Sequence, residues 1–307
     1  MSTNTTLIMI NTFGLLFVIT NSLALGLRLH IGQILAHFFQ QWKLAVWVLL
    51  INFVLLPALI IGFAAVVPIP PDIKIGYCVV ALAAGAPFAP AITRLAKGNV
   101  AMSSTLFVVM VVVTVIVAPL ALPPIVSAVV PAVKYIPIWN VAWPLLVFVI
   151  IPLAIGILIR LRYEEVARSW VRPLLIICIA CLLMYTNLFV YSAWNEFVSV
   201  WWSGAYIASI AVPILGIAFG TIISMKDVGT RHACAITTAQ RSISGAIILT
   251  IFNYTQPLAN VSVTIINSFG IVILLILGME WGRAQARKGA MADTATDTAA
   301  ASAATQE

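Results

Sequence analysis

Charge is the scarcest thing in this sequence. Only 8% of its 307 residues are Asp, Glu, Lys or Arg, and the carboxylates number nine. No Asp, Glu or His falls in the middle of a long apolar run, so an enzyme working inside a membrane by acid–base catalysis has no candidate groups. The three histidines, His30, His37 and His232, sit near the ends of such runs, and His232 reads as a solvated interface side chain rather than a proton shuttle. A phosphate loop of the GxxxxGKS or GxxxxGKT kind is missing, which disfavours a pump driven by nucleotide hydrolysis. Cysteine is rare as well, at four residues. Cys78, Cys178, Cys181 and Cys234 all lie at or within apolar runs, and no disulfide framework follows from them. The Cys178-Ile-Ala-Cys181 spacing belongs to a helical apolar stretch without a βαβ context, so it reads as two small residues on one face.

What is abundant is apolar surface. The chain is 63% hydrophobic, with a mean hydropathy of +1.12. Repeated runs of about 20 apolar residues read as membrane helices. Nine can be placed, at 7–27, 44–67, 75–94, 100–122, 139–159, 174–191, 205–223, 234–254 and 261–279. Together they make a transmembrane domain over 7–282. A short external N-terminus (1–6) precedes it, and an Ala/Thr-rich tail (283–307) without apolar periodicity follows, which reads as cytoplasmic and disordered. The fold class is therefore an all-α polytopic membrane protein. No basic cluster precedes the first run, which is accordingly read as a retained helix rather than a secretory signal.

The net charge of +7 is spread over short connecting loops, so the lipid bilayer is the partner it implies and nucleic acid is not. With the N-terminus outside, thirteen of the sixteen lysines and arginines fall in cytoplasmic segments. Lys226 and Arg231 flank one of these turns. Only Lys74 and Lys134 fall outside, and Arg241 lies within a span. Such asymmetry is what the positive-inside rule requires, and adding or losing one helix would invert half the loops and spoil it. The expected location is the cell inner membrane, with the C-terminus cytoplasmic.

Two runs break the apolar pattern. The third contains Gly85-Ala-Pro-Phe-Ala-Pro90, whose prolines remove backbone donors at membrane depth and must interrupt the helix. The eighth contains Ala235-Ile-Thr-Thr-Ala-Gln-Arg-Ser-Ile-Ser-Gly245. Arginine near a bilayer centre costs about 2.5–3.5 kcal/mol on insertion scales, so Arg241 must face a cavity or a partner. Two interrupted segments in corresponding places of the two halves point to a transporter's central site. Arg241, Gln240, Thr237, Thr238, Ser242 and Pro90 are the candidate solute-binding residues. The other reading of Arg241 is structural, with its guanidinium bonded to carbonyls of a broken helix.

Three stretches carry a resemblance: Asn21-Ser-Leu-Ala-Leu-Gly-Leu27, Ile51-Asn-Phe-Val-Leu-Leu-Pro57 and Arg94-Leu-Ala-Lys-Gly-Asn-Val-Ala-Met-Ser103. In order and spacing they resemble the bile acid:sodium symporter family. Pro152-Leu-Ala-Ile-Gly156 and the Gln240 region fit as well, and the likeness runs over residues 20–280. It implies two inverted repeats in the nine-helix form of the fold, divided into a panel and a core domain. The two broken helices would cross in the core near the solute. By the same alignment Ala89 and Pro90 stand where a Ser-Asn pair is expected, Phe107 where a Thr is expected, and Ile236 in place of a glutamate. Arg241 replaces an asparagine. Asn52, Ser103 and Gln240 remain as weak candidate sodium ligands, so Na+ coupling is expected to be feeble or absent. The arsenite-carrying relatives use a cysteine in the first broken helix, and the matching segment here, Gly85-Ala-Pro-Phe-Ala-Pro90, has none.

The expectation is a secondary active transporter, symporter-like and not an enzyme, that moves a small organic anion by alternating access. The alternative is a sodium-coupled symporter of bile acids or organic solutes of the ordinary family type. A membrane sensor built on the same scaffold ranks below both.

Overall fold

A computed structural model describes residues 3–224, 227–254 and 256–304; Lys226 lies outside the described residues. Among the described residues the only regular structure is helix, without strands. The opening helix α1 (Thr3–Arg28) is followed by the short α2 (Ile31–Gln40), in the stretch expected as a basic loop. A long rod then comprises α3 (Trp42–Leu50), a π-helical turn at Ile51–Leu55 and α4 (Leu56–Val66). Next come α5 (Pro71–Leu82), α6 (Ala89–Leu95) and the 30-residue α7 (Val100–Val129). A second rod has the same construction, with α8 (Ile138–Leu145), a π turn at Leu146–Ile150 and α9 (Ile151–Arg162). The chain continues through α10 (Glu164–Ser192), α11 (Trp194–Ser199) and α12 (Ala205–Ile223). It ends with α13 (Val228–Ala239), α14 (Ile243–Asn253) and α15 (Pro257–Ala304).

The two π turns have an identifiable cause. Pro57 and Pro152 each follow two residues after one of them. A proline inside a helix lacks the N–H for its i−4 carbonyl and its ring clashes with that carbonyl. Widening the preceding turn to i→i+5 bonding relieves the clash and keeps the rod continuous. The first π turn also carries Asn52, which is wholly buried.

Among the described residues, eight stretches are long and apolar enough to cross a membrane. The segment expected as the third span is not one of them. It consists of α5, twelve residues, and α6, seven residues, with 83–88 non-helical between. Gly85 there has φ +81°, which favours glycine, and a Cβ would stand 2.8 Å from Val111 N. Elsewhere the helices outrun the apolar runs. α7 continues to Val129 through Pro119, Pro123 and Pro124, and α10 begins at Glu164. The tail read as disordered is helical through Ala304; its richness in alanine, the strongest helix former, is the local reason.

The helices pack as two groups. In one, α1 lies along α9 and α10, approaching so closely at Gly26 and Gly156 that side chains are excluded there. In the other, α5, α6, α7, α12, α13 and α15 enclose one another, and α4 packs on α5. The groups meet where α14 contacts α1 and α8, and where α7 contacts α2 and α8. The span with the most burial is 228–253, which holds the polar stretch; 89% of its most apolar window is enclosed.

Candidate functional site

The two interruptions adjoin. In the eighth span helix stops at Ala239, Gln240–Ser242 are extended, and α14 starts at Ile243. Ser242 caps α14 by accepting from Gly245 N at 3.2 Å, while its own amide donates to Ala83 O at 2.9 Å. That bond joins one break directly to the other. Thr114 of α7 completes the first break by accepting from Ala84 N at 3.2 Å and donating to Ala84 O at 3.0 Å. Irregular backbone at membrane depth survives when protein groups supply such partners.

Arg241 fills the corner between them and is 3% exposed. Its Nε donates to Val80 O at 3.0 Å, its Nη1 to Asn52 Oδ1 at 3.0 Å, and its Nη2 to Ala81 O. The two carbonyls belong to the last turn of α5, where the helix dipole favours a cation; Val80 O also accepts from Ala83 N at 3.2 Å. Asn52 in turn donates to Val48 O at 2.9 Å and Thr238 Oγ1 at 3.3 Å. Ser103 bonds Thr237 at 2.9 Å and receives a bond from Thr93 at 3.1 Å. The structure therefore brings Arg241, Asn52 and Thr238 into one network and Thr237, Ser103 and Thr93 into a second. Gln240 is buried, and its Oε1 has no partner among the described residues.

The cavities lie beside this network rather than at the guanidinium. A pocket of about 20 Å³, room for a single water, sits between Asn21 and Ser22 of α1 and Gly85, Thr114, Ser242 and Ser244 opposite. A larger one of about 360 Å³ opens at the basic end of the bundle. Arg28, His30, His37 and Arg94 line it, with Pro87 and Pro90 from the first break as its inner wall. No Asp or Glu is among the described residues that line it. Of the sequence-stated candidates, Pro90 and Ser242 reach a cavity; Arg241, Gln240, Thr237 and Thr238 line neither of these two. Asn21, Thr114 and the Arg28–Arg94 pair were not singled out from sequence. An asparagine and a threonine inside apolar runs were the available signals, whereas the two arginines read only as topology markers.

His232 departs from its expected solvated state. It is 5% exposed, its ring stacks on Trp281 with centroids 4.2 Å apart, and its Nδ1 meets Ala96 O at 3.0 Å. The long α15 brings Trp281 over it, and the end of α6 provides the carbonyl.

A chain whose described residues form helices, eight of them long and apolar enough to cross a membrane, with two interruptions joined at a polar centre, is a polytopic membrane protein of the transporter kind. The sequence pattern of the sodium bile acid symporter family matches residues 13–200, more than half of the chain. The chain belongs to that family and is a membrane transporter of the bile acid symporter type. Comparison with curated proteins finds no match.

Proposed function

We propose that the protein is a secondary carrier of a small organic anion and works by alternating access. In this reading α5 and α6 form one interrupted crossing, giving nine in all. The group containing α1, α9 and α10 acts as the panel, and the group around the breaks acts as the core. The basic end faces the cytoplasm of a cell whose inner membrane holds the protein. The observation that carries the reading is the cavity of about 360 Å³, walled by the first break and lined by Arg28 and Arg94 without an acidic counterpart. Guanidinium groups suit carboxylate, sulfonate or phosphate, because their planar donors can bond two oxygens at once. Arg241, buried at the joined breaks, adds a fixed positive charge in an interior of low polarity, where charge acts over distance.

The test is thermal stabilisation of the purified protein by a panel of small organic anions, since a ligand that binds only the folded state raises apparent stability. At least one anion should stabilise the wild type in a saturable way, and the Arg28→Gln, Arg94→Gln double variant should lose that response. A response limited to neutral or cationic solutes would overturn the reading.

A further inference from the structure

The crossing holds a fixed positive charge where a cation-coupled carrier would hold an exchangeable one. All three acceptors around the Arg241 guanidinium are neutral oxygens: the carbonyls of Val80 and Ala81 and the amide oxygen of Asn52. Carbonyl and amide oxygens at the end of a half-helix are the ligands a hard monovalent cation takes inside a membrane. Here they are already committed to the guanidinium. Of the positions that the family resemblance assigns to sodium, Ala89, Pro90, Phe107 and Ile236 provide no side-chain oxygen: Ala89, Phe107 and Ile236 are buried in apolar clusters, and Pro90 lines the basic cavity. These residues do not fit a sodium ion. A cation placed beside Arg241 would also meet like charge in a weakly screened interior.

We infer that Arg241 is a tethered cation: it supplies the charge that bound sodium supplies in a cation-coupled symporter, so the crossing takes no exchangeable cation and the anion moves without sodium. The last clause rests on the proposed function; the first does not. Removing the guanidinium while keeping a polar residue would therefore leave three oxygens, those of Val80, Ala81 and Asn52, facing the vacated space.

The experiment uses sodium alone, with no organic anion. Apparent melting temperature of the purified full-length protein is measured in sodium chloride and in choline chloride at matched ionic strength. Wild type and Arg241→Lys, which retains the charge, should give the same value in both salts. Arg241→Asn should gain a saturable, sodium-specific rise. If that variant aggregates in choline, extraction in sodium should recover monodisperse protein. Saturable sodium stabilisation of wild type or of the Lys variant would overturn the inference. So would an Asn variant that is indifferent to sodium, or one that aggregates equally in both salts. Failure of the anion panel alongside the expected sodium pattern would remove the solute class and leave the tethered cation standing.

Discussion

Arg241 Nη1 and Asn52 Oδ1 lie 3.0 Å apart, so the one charge buried at the crossing is held by an amide on the π turn of a different rod. That bond ties three elements together, because the same guanidinium grips the end of α5. Asn52 also donates to Thr238, which closes the loop back to α13.

Replacing Asn52 tests the bond from its other side. Asn52→Leu leaves a buried guanidinium donor without its acceptor, a loss of about 1–3 kcal/mol and more for a charged group. The expected result is a clear fall in melting temperature with a tendency to aggregate. Asn52→Asp should remain folded, because a carboxylate there pairs with Arg241 directly. It should also weaken any response to organic anions, since the fixed positive charge of Arg241 is then cancelled. A stable, anion-responsive Asp variant would show that the charge of Arg241 is not felt in the cavity.

The part of this site that was legible in sequence was its chemistry, and the part that was not was its wiring. Pro87 and Pro90 marked the first break because a proline cannot donate to a helix, and Arg241 stood out because arginine in lipid needs a partner. Its partners were hidden for a physical reason. Val80 and Ala81 contribute backbone carbonyls, which carry no residue-type signature, and they lie about 160 positions away in sequence. The candidate set therefore pointed Arg241 at solute, while the structure turns it onto protein. The cavity residues were hidden differently: Arg28 and Arg94 satisfy the positive-inside rule, and nothing in their spacing says that they converge. In the tail, the lack of an apolar face suggested disorder, yet alanine-rich sequence is compatible with helix wherever a long preceding helix has already paid nucleation.

Topology can be checked by reporter fusions. Fusions after Lys97, Arg168, Asp227 and Lys288 should report cytoplasmic, and fusions after Ile73 and Ala132 should report external, as the distribution of lysine and arginine requires. The informative position is Ile73, in the first turn of α5. If α5 and α6 together cross the membrane, Ile73 and Lys97 must report opposite sides. The same side for both would make the interrupted segment re-entrant and reduce the count of crossings to eight.

Close contact between α1 and α9 rests on glycine. A Cβ on Gly26 would run into Leu153 O and stand 2.9 Å from Gly156 Cα, backbone atoms that cannot turn aside. Gly26→Ala should therefore force α1 from α9 and lower stability by about 1–3 kcal/mol, the usual scale for overpacking. Gly62 of α4 is the control, since nothing lies within 4 Å of a Cβ there. Gly62→Ala should be neutral or slightly stabilising, by up to about 1 kcal/mol of helix propensity. Equal melting temperatures for the two variants would mean that the α1–α9 contact is looser than the structure shows.

The seam between the two helix groups offers the most direct test of the proposed alternating access. Asn21 Nδ2 on α1 approaches Ser244 Oγ on α14 at 3.5 Å, a polar contact across the face where the two groups meet. Both residues line the small pocket, which shares Leu25, Pro87 and Phe107 with the basic cavity. If the groups rock against each other to move a solute, this contact must part once per cycle. Cysteines at both positions, in a background without Cys78, Cys178, Cys181 and Cys234, should be joined by a short thiol-reactive linker. The background matters because Cys178 Sγ lies 3.8 Å from Asn21 Oδ1 and would compete for the reagent. Uptake into proteoliposomes of the best stabilising anion should stop in the linked protein and continue in each linked single-cysteine control. Cleaving a reducible linker should restore it. Undiminished uptake through the linked protein would mean that α1 and α14 stay together throughout the cycle, and that access alternates along another seam or by another motion.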